Sequence, residues 1–198
     1  MRYEPGTALL VVDVQNDFAD PAGSLHVAGA EQAVRRVVEE VQAAQQAHAP
    51  ILYTADWHPS RTPHFTTDGG VWPVHCVADT WGAALHPDLP VAGPVVRKGV
   101  GGEDGYSGFS VRDPESGEQA STALEGMLRE RGVTHVIVTG IATDVCVAAT
   151  VADARRLGFA VTVLADATAA VELEAGDTDR ALEAMRQAGA VVEGEPAR

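Results

Sequence analysis

Thr134-His135-Val136-Ile137-Val138-Thr139 runs through Gly140-Ile141-Ala142-Thr143 into Asp144-Val145-Cys146. The first six residues are rich in β-branched side chains and read as a strand buried on both faces. From Asp144 to Leu157 the spacing is helical, and Gly158 ends the helix. Phe159-Ala160-Val161-Thr162-Val163-Leu164 is again a strand. Strand, helix and strand in that order make a right-handed crossover between parallel neighbours. The same alternation extends toward the N-terminus. Ala8-Leu9-Leu10-Val11-Val12 is a buried strand, and residues 29–48 form an amphipathic helix with Ala33, Val37, Val41 and Ala44 on one face. Pro50 to Ala55 is the next strand, Val95-Val96-Arg97 a shorter one, and Thr122 to Glu130 a helix closed by Gly132. Toward the C-terminus a helix covers residues 177–187, and Ala190-Val191-Val192 leaves a sixth strand open. The expected fold is therefore α/β and doubly wound, with a mostly parallel sheet of about six strands and helices on both faces. Residues 1–198 form one domain in this reading.

A hydrophobic fraction of 45% suits a globular core. No apolar run is long enough to span a bilayer, and residues 1–7 lack the basic and apolar regions of a secretory signal. A cytoplasmic location is expected. The net charge of −14 argues against nucleic acid and anionic membrane surfaces as partners, since both demand clustered Lys and Arg. The two cysteines, Cys76 and Cys146, make neither a disulfide framework nor a CxxC pair. A homo-oligomer stays open.

Parallel sheets of this kind bind ligands beyond the carboxyl ends of their strands. Four such ends carry chemically useful residues: Asp13, Asp56, Lys98 and the segment 140–146. Cys146 lies near a helix start capped by Thr143 or Asp144, where partial positive charge lowers a thiol's pKa and free N–H groups can receive an oxyanion. A small cysteine packed under a helix fits the same position. Lys98 would favour the thiolate, and Asp13 could carry the proton; equally, Lys98 could be solvated and Asp13 could serve a turn. Between Trp57 and Pro94 the chain is long and irregular and holds all three tryptophans, a sign of a functional loop. Asp56, His58, His64 and His75 cluster there and suit one divalent metal ion: zinc first, then iron or manganese.

With these residues assembled, the chain resembles the nicotinamidase branch of the isochorismatase-like cysteine hydrolases. The ordered motifs are Asp13-Val14-Gln15-Asn16-Asp17-Phe18, Asp56-Trp57-His58-Pro59 with His64-Phe65, and Trp72-Pro73-Val74-His75-Cys76-Val77. Lys98-Gly99 follows, then Tyr106-Ser107-Gly108-Phe109 and Gly140-Ile141-Ala142-Thr143-Asp144-Val145-Cys146-Val147. The resemblance implies a triad of Asp13, Lys98 and Cys146, with a thioester on Cys146. It also implies a cis peptide between Ile141 and Ala142 and an oxyanion hole from the N–H groups of Ala142 and Cys146. Asp56, His58 and His75 would hold the metal; His64 matches a position that coordinates in some relatives only. Phe18 and Trp72 would flank the substrate ring. The implied reaction converts nicotinamide to nicotinate and ammonia, within NAD salvage. A related amidase acting on another carboxamide or a ureido compound shares the triad, and a non-catalytic binding module shares the fold. Cys76, His26, His48, His86 and His135 read as structural or solvated, and Tyr106-Ser107-Gly108-Phe109 as a loop-shaping segment.

Overall fold

The structure, a computed structural model, describes residues 3–196. The first two and last two residues of the expected domain lie outside the described residues. In chain order the elements are β1 (Thr7–Val12), α1 (Asn16–Ala19), α2 (Ala30–Gln46), β2 (Ile51–Asp56), β3 (Val95–Lys98), β4 (Ser110–Arg112), β5 (Gln119–Ser121) and α3 (Leu124–Glu130). Then follow β6 (His135–Ile141), a π-helical turn (Thr143–Val147), α4 (Ala148–Arg156), β7 (Ala160–Ala169), α5 (Asp177–Gln187) and β8 (Val191–Glu193). The six-stranded sheet has the order β3-β2-β1-β6-β7-β8. All its pairings are parallel. β4 and β5 form a separate antiparallel hairpin. No helix among the described residues is long and apolar enough to cross a membrane.

β1 and β6 sit at the centre, and all six residues of β1 are buried. Alternation along β1 divides the core. Leu9 and Val11 pack with Val34, Val37 and Val41 of α2, while Ala8, Leu10 and Val12 pack with Leu128, Val151, Leu182 and Met185 of α3, α4 and α5. Each fully buried Leu or Val side chain contributes about 1.5–3 kcal/mol, so both faces stabilise the sheet.

The structure departs from the sequence reading in four places. β7 runs to Ala169 and not only to Leu164. Its second half, Ala165-Asp166-Ala167-Thr168-Ala169, has little intrinsic strand preference and is held by tertiary pairing with Gly140 and Ile141 across a register shift. The helix expected from Asp144 opens instead as a π-helical turn, and α4 proper begins at Ala148. The β4/β5 hairpin and the single turn of α1 carry no periodic signal. Ala190-Val191-Val192, left open above, contributes the edge strand β8.

Gly140 shows how tightly β6 meets β1. Its φ of 114° suits glycine, and a Cβ there would strike the backbone N, C and O of Val12. Gly140→Ala is expected to lose about 3 kcal/mol from backbone strain and displaced pairing. Urea denaturation checks this; an unchanged midpoint would contradict the close approach.

Candidate active site and metal centre

The carboxyl ends of β1, β2, β3 and β6 deliver the site residues to one rim. Asp13 follows β1 with φ 48°, an unusual conformation for a side chain other than glycine or Asn. That turn aims its carboxylate inward, where it is fully buried. Oδ1 accepts a hydrogen bond from the Thr54 hydroxyl at 2.7 Å, and Oδ2 lies 2.7 Å from Lys98 Nζ. Lys98 ends β3 and is 1% exposed. Its ammonium also meets Asp56 Oδ1 and donates to the Gly105 carbonyl. Cys146 Sγ is 3.7 Å from the same nitrogen. The acidic oxygens of Asp13 and Asp56 and the Cys146 sulfur lie within 4.8 Å of one another.

Two carboxylates and a thiol around one buried ammonium set one another's proton affinities. Burial opposes the Lys98 charge, but Asp13, Asp56 and Cys146 outweigh it and hold Lys98 charged, well above its ordinary value. Asp56 is driven well below the usual carboxylate range: burial would lift it, and Lys98, His58 and His75 together prevail. Asp13 moves up, because burial dominates over the Lys98 attraction and Asp56 repels its charge. The Cys146 thiol is pushed well up by burial, and the help of Lys98 is offset by Asp13 and Asp56. A thiolate favoured by helix start and lysine is thus corrected to a thiol beside a proton-seeking carboxylate. The capping expectation is corrected too. Ala142 precedes the turn, and no side chain caps it. Thr143 instead bonds Thr168 Oγ1, and the Asp144 carboxylate accepts the backbone N–H groups of Val171 and Glu172.

His58, His64 and His75 converge within 4.8 Å, all buried. The second oxygen of Asp56 faces His58 Nε2 at 3.8 Å and His75 Nε2 at 3.7 Å. Both ring nitrogens of His58 are fully buried without a hydrogen-bond partner among the described residues. An orphaned imidazole amid two more imidazoles and a carboxylate is costly unless it meets a ligand, and this donor set suits zinc. The residues present therefore fit a metal ion. His64 enters the cluster beside His58 and His75. Burial also draws its pKa below the ordinary value, which keeps the ring neutral.

An apolar cleft opens beside these groups. Phe18, Trp72, Tyr106, Ile141, Val145 and Val171 line it, with Asp56, His64, His75, Ala142 and Cys146 at its polar end. The Phe18 ring lies 5.4 Å from that of His75. Trp72 Nε1 donates to Tyr106 Oη at 3.0 Å. Tyr106, read as loop-shaping from sequence, is thereby a wall of the cleft. The peptide between Ile141 and Ala142 is cis. Cys76 is buried away from the cleft, and burial raises its thiol well up. His135 lies at the opposite end of β6, between Thr7 and Thr162.

Sequence reasoning assigned no role to Gln15. Its fully buried amide clamps the metal-side strand end: Nε2 donates to the carbonyls of Asp56 and Ala83, at 2.7 and 2.8 Å, and Oε1 accepts the Asp56 N–H at 2.8 Å. Asp17 similarly accepts the Cys76 N–H at 2.7 Å and the Ser24 N–H at 3.0 Å, tying the loop of His75 to that of Phe18. The available signal was a run of polar residues directly after a wholly apolar strand.

The profile described as the isochorismatase domain matches residues 7–195. A Mycobacterium tuberculosis relative named nicotinamidase/pyrazinamidase is 42% identical over 186 residues, covering 91% of this chain and 95% of that protein. The pyrazinamidase of Pyrococcus horikoshii, solved in complex with zinc, superposes with a TM-score of 0.84 at 37% identity, over 96% of this chain and 99% of that one. PnC1 from L. infantum, solved in complex with nicotinate, gives 0.81 at 36% identity, over 96% and 92%.

Proposed function

This chain belongs to the isochorismatase family, and from that premise we propose how its site hydrolyses a carboxamide. The protein is an amidohydrolase that converts nicotinamide to nicotinate and ammonia. The observation that carries the mechanism is the Lys98 ammonium, 2.7 Å from Asp13 Oδ2 and 3.7 Å from Cys146 Sγ at the end of an apolar cleft.

In this reading Asp13 takes the Cys146 proton as Sγ attacks the amide carbon. The carbonyl oxygen becomes an oxyanion received by the N–H groups of Ala142 and Cys146. Asp13 returns the proton to the nitrogen, the C–N bond breaks, and ammonia leaves a thioester on Cys146. Water then attacks the thioester, Asp13 takes its proton, and nicotinate departs as the thiol is restored. Lys98 stays charged throughout and fixes Asp13 and Asp56 in place. The ring lies in the apolar cleft between Phe18 and Trp72, where flat faces match a flat heteroaromatic. Asp56, His58, His64 and His75 would hold one zinc ion, and that ion would supply Lewis acidity to anchor the pyridine nitrogen. Residues 1–198 act as one hydrolase domain, with 56–94 as its metal-binding region, and the reaction serves NAD salvage in the cytoplasm.

Zinc-loaded protein given nicotinamide should release ammonia and nicotinate in equal amounts, with kcat/KM at least about 100-fold above that for a ureido compound of similar size. The reverse preference would overturn the substrate assignment. Trp72→Ala should raise KM roughly tenfold, the loss of one ring face at about 1–1.5 kcal/mol, with little change in melting temperature. Unfolding at much lower temperature with normal KM would make Trp72 a packing residue.

A further inference from the structure

The three imidazoles of the metal centre are oriented differently. His58 has no hydrogen-bond partner at either ring nitrogen among the described residues. His75 Nδ1 lies 2.7 Å from the Pro73 carbonyl, a neutral acceptor two residues away in its own loop. His64 Nδ1 lies 2.7 Å from Asp104 Oδ1, a carboxylate forty residues away that follows β3. A carboxylate accepts only, so the bond places the His64 proton on Nδ1 and leaves the lone pair of Nε2 for a ligand.

Asp104 is itself anchored. Its N–H donates to the Arg112 carbonyl at 2.7 Å, and its carbonyl accepts the Arg112 N–H at 3.0 Å, which binds it to the first strand of the hairpin. The two loops are stitched at a second point. Thr62 Oγ1 donates to the Gly102 carbonyl at 2.6 Å and accepts the His64 N–H at 3.2 Å. Both the backbone and the ring of His64 are thus set by the segment between β3 and β4. Both side chains are largely removed from solvent, 4% exposed for His64 and 13% for Asp104.

We propose that Asp104 is the positioning residue for the imidazole of His64 in the metal centre. This rests on reading the cluster as a zinc centre. Asp104 acts through His64: it fixes the tautomer, points Nε2 inward, and increases the basicity of the ring as a donor. His75 receives the same orientation from an uncharged carbonyl, so the negative charge behind His64 is the part contributed by this one residue.

The test is zinc affinity of metal-free full-length protein, measured by competition with a chromophoric chelator, for wild type, Asp104→Ala, His64→Ala and the double variant. Asp104→Ala should weaken zinc binding about 10–100-fold. Asp104→Asn keeps an acceptor oxygen and the backbone bridge to Arg112, and should fall between wild type and Asp104→Ala; it also serves if the alanine variant folds poorly. In the His64→Ala background the Asp104 substitution should have no further effect, since its only route is absent. Affinity within twofold of wild type in both Asp104 variants would overturn the proposal. So would an Asp104 effect that persists in full without His64. A wild type that binds no zinc would overturn the metal centre itself, and this inference with it.

Discussion

Lys98→Met should cost about 3–5 kcal/mol of folding stability in the metal-free protein and abolish turnover. The Lys98 ammonium is the cation that Asp13 and Asp56 share, and both carboxylates are buried. Methionine fills the same volume but leaves two like charges facing each other without a counter-ion. They must then protonate or let water in. Removal of one member of a buried ion network is among the most destabilising single changes. Urea denaturation with the ammonia assay checks both parts. A variant as stable as wild type would show that Lys98 is not the electrostatic centre of the site.

Asp13→Asn should separate the two quantities, losing turnover with a much smaller loss of stability. Asparagine tolerates the left-handed backbone at this position, φ 48°, and its carbonyl can still accept from Thr54 Oγ1 at the place of Oδ1. The substitution also removes a buried carboxylate whose proton affinity is raised by burial and, to a lesser degree, by repulsion from Asp56. Lys98 loses one of its two carboxylate partners but keeps Asp56, so the loss of stability should be smaller than in Lys98→Met. The amide cannot take a proton from Cys146, whose thiol is held protonated by burial and by its acidic neighbours. A fall in kcat of about 10³–10⁴-fold with little change in KM is expected, the upper range for loss of a general acid–base group. Activity within tenfold of wild type would remove Asp13 from the proton path.

These two residues show how far the sequence alone reaches. Asp13, Asp56, Lys98 and Cys146 stand at or just past the ends of apolar strands, and a parallel sheet must bring such ends to one rim. The central strands were legible because their β-branched runs are buried on both faces. Features that depend on contacts were not legible. The second half of β7 owes its strand form to pairing with the end of β6, and the hairpin of β4 and β5 is short and mostly exposed. The π-helical turn under Cys146 has a helix's composition, and only its geometry separates the two. The sign of the Cys146 shift was misread for a related reason. Sequence shows the lysine near the thiol but not the burial, which raises the thiol's proton affinity more than Lys98 lowers it, nor the added repulsion of Asp56. Gln15 and Asp104 escaped notice because each acts through partners distant in the chain, Asp56 and Ala83 for Gln15 and His64 for Asp104.

The most direct measurement is ammonia release from nicotinamide by three zinc-loaded proteins side by side: wild type, Cys76→Ala and Cys146→Ala. Both thiols are buried and both are held protonated, so burial and proton affinity do not distinguish them. Only Cys146 lies beside Lys98 and at the cleft. Wild type and Cys76→Ala should release ammonia, and Cys146→Ala none. Sustained release by Cys146→Ala would contradict Cys146 as the nucleophile.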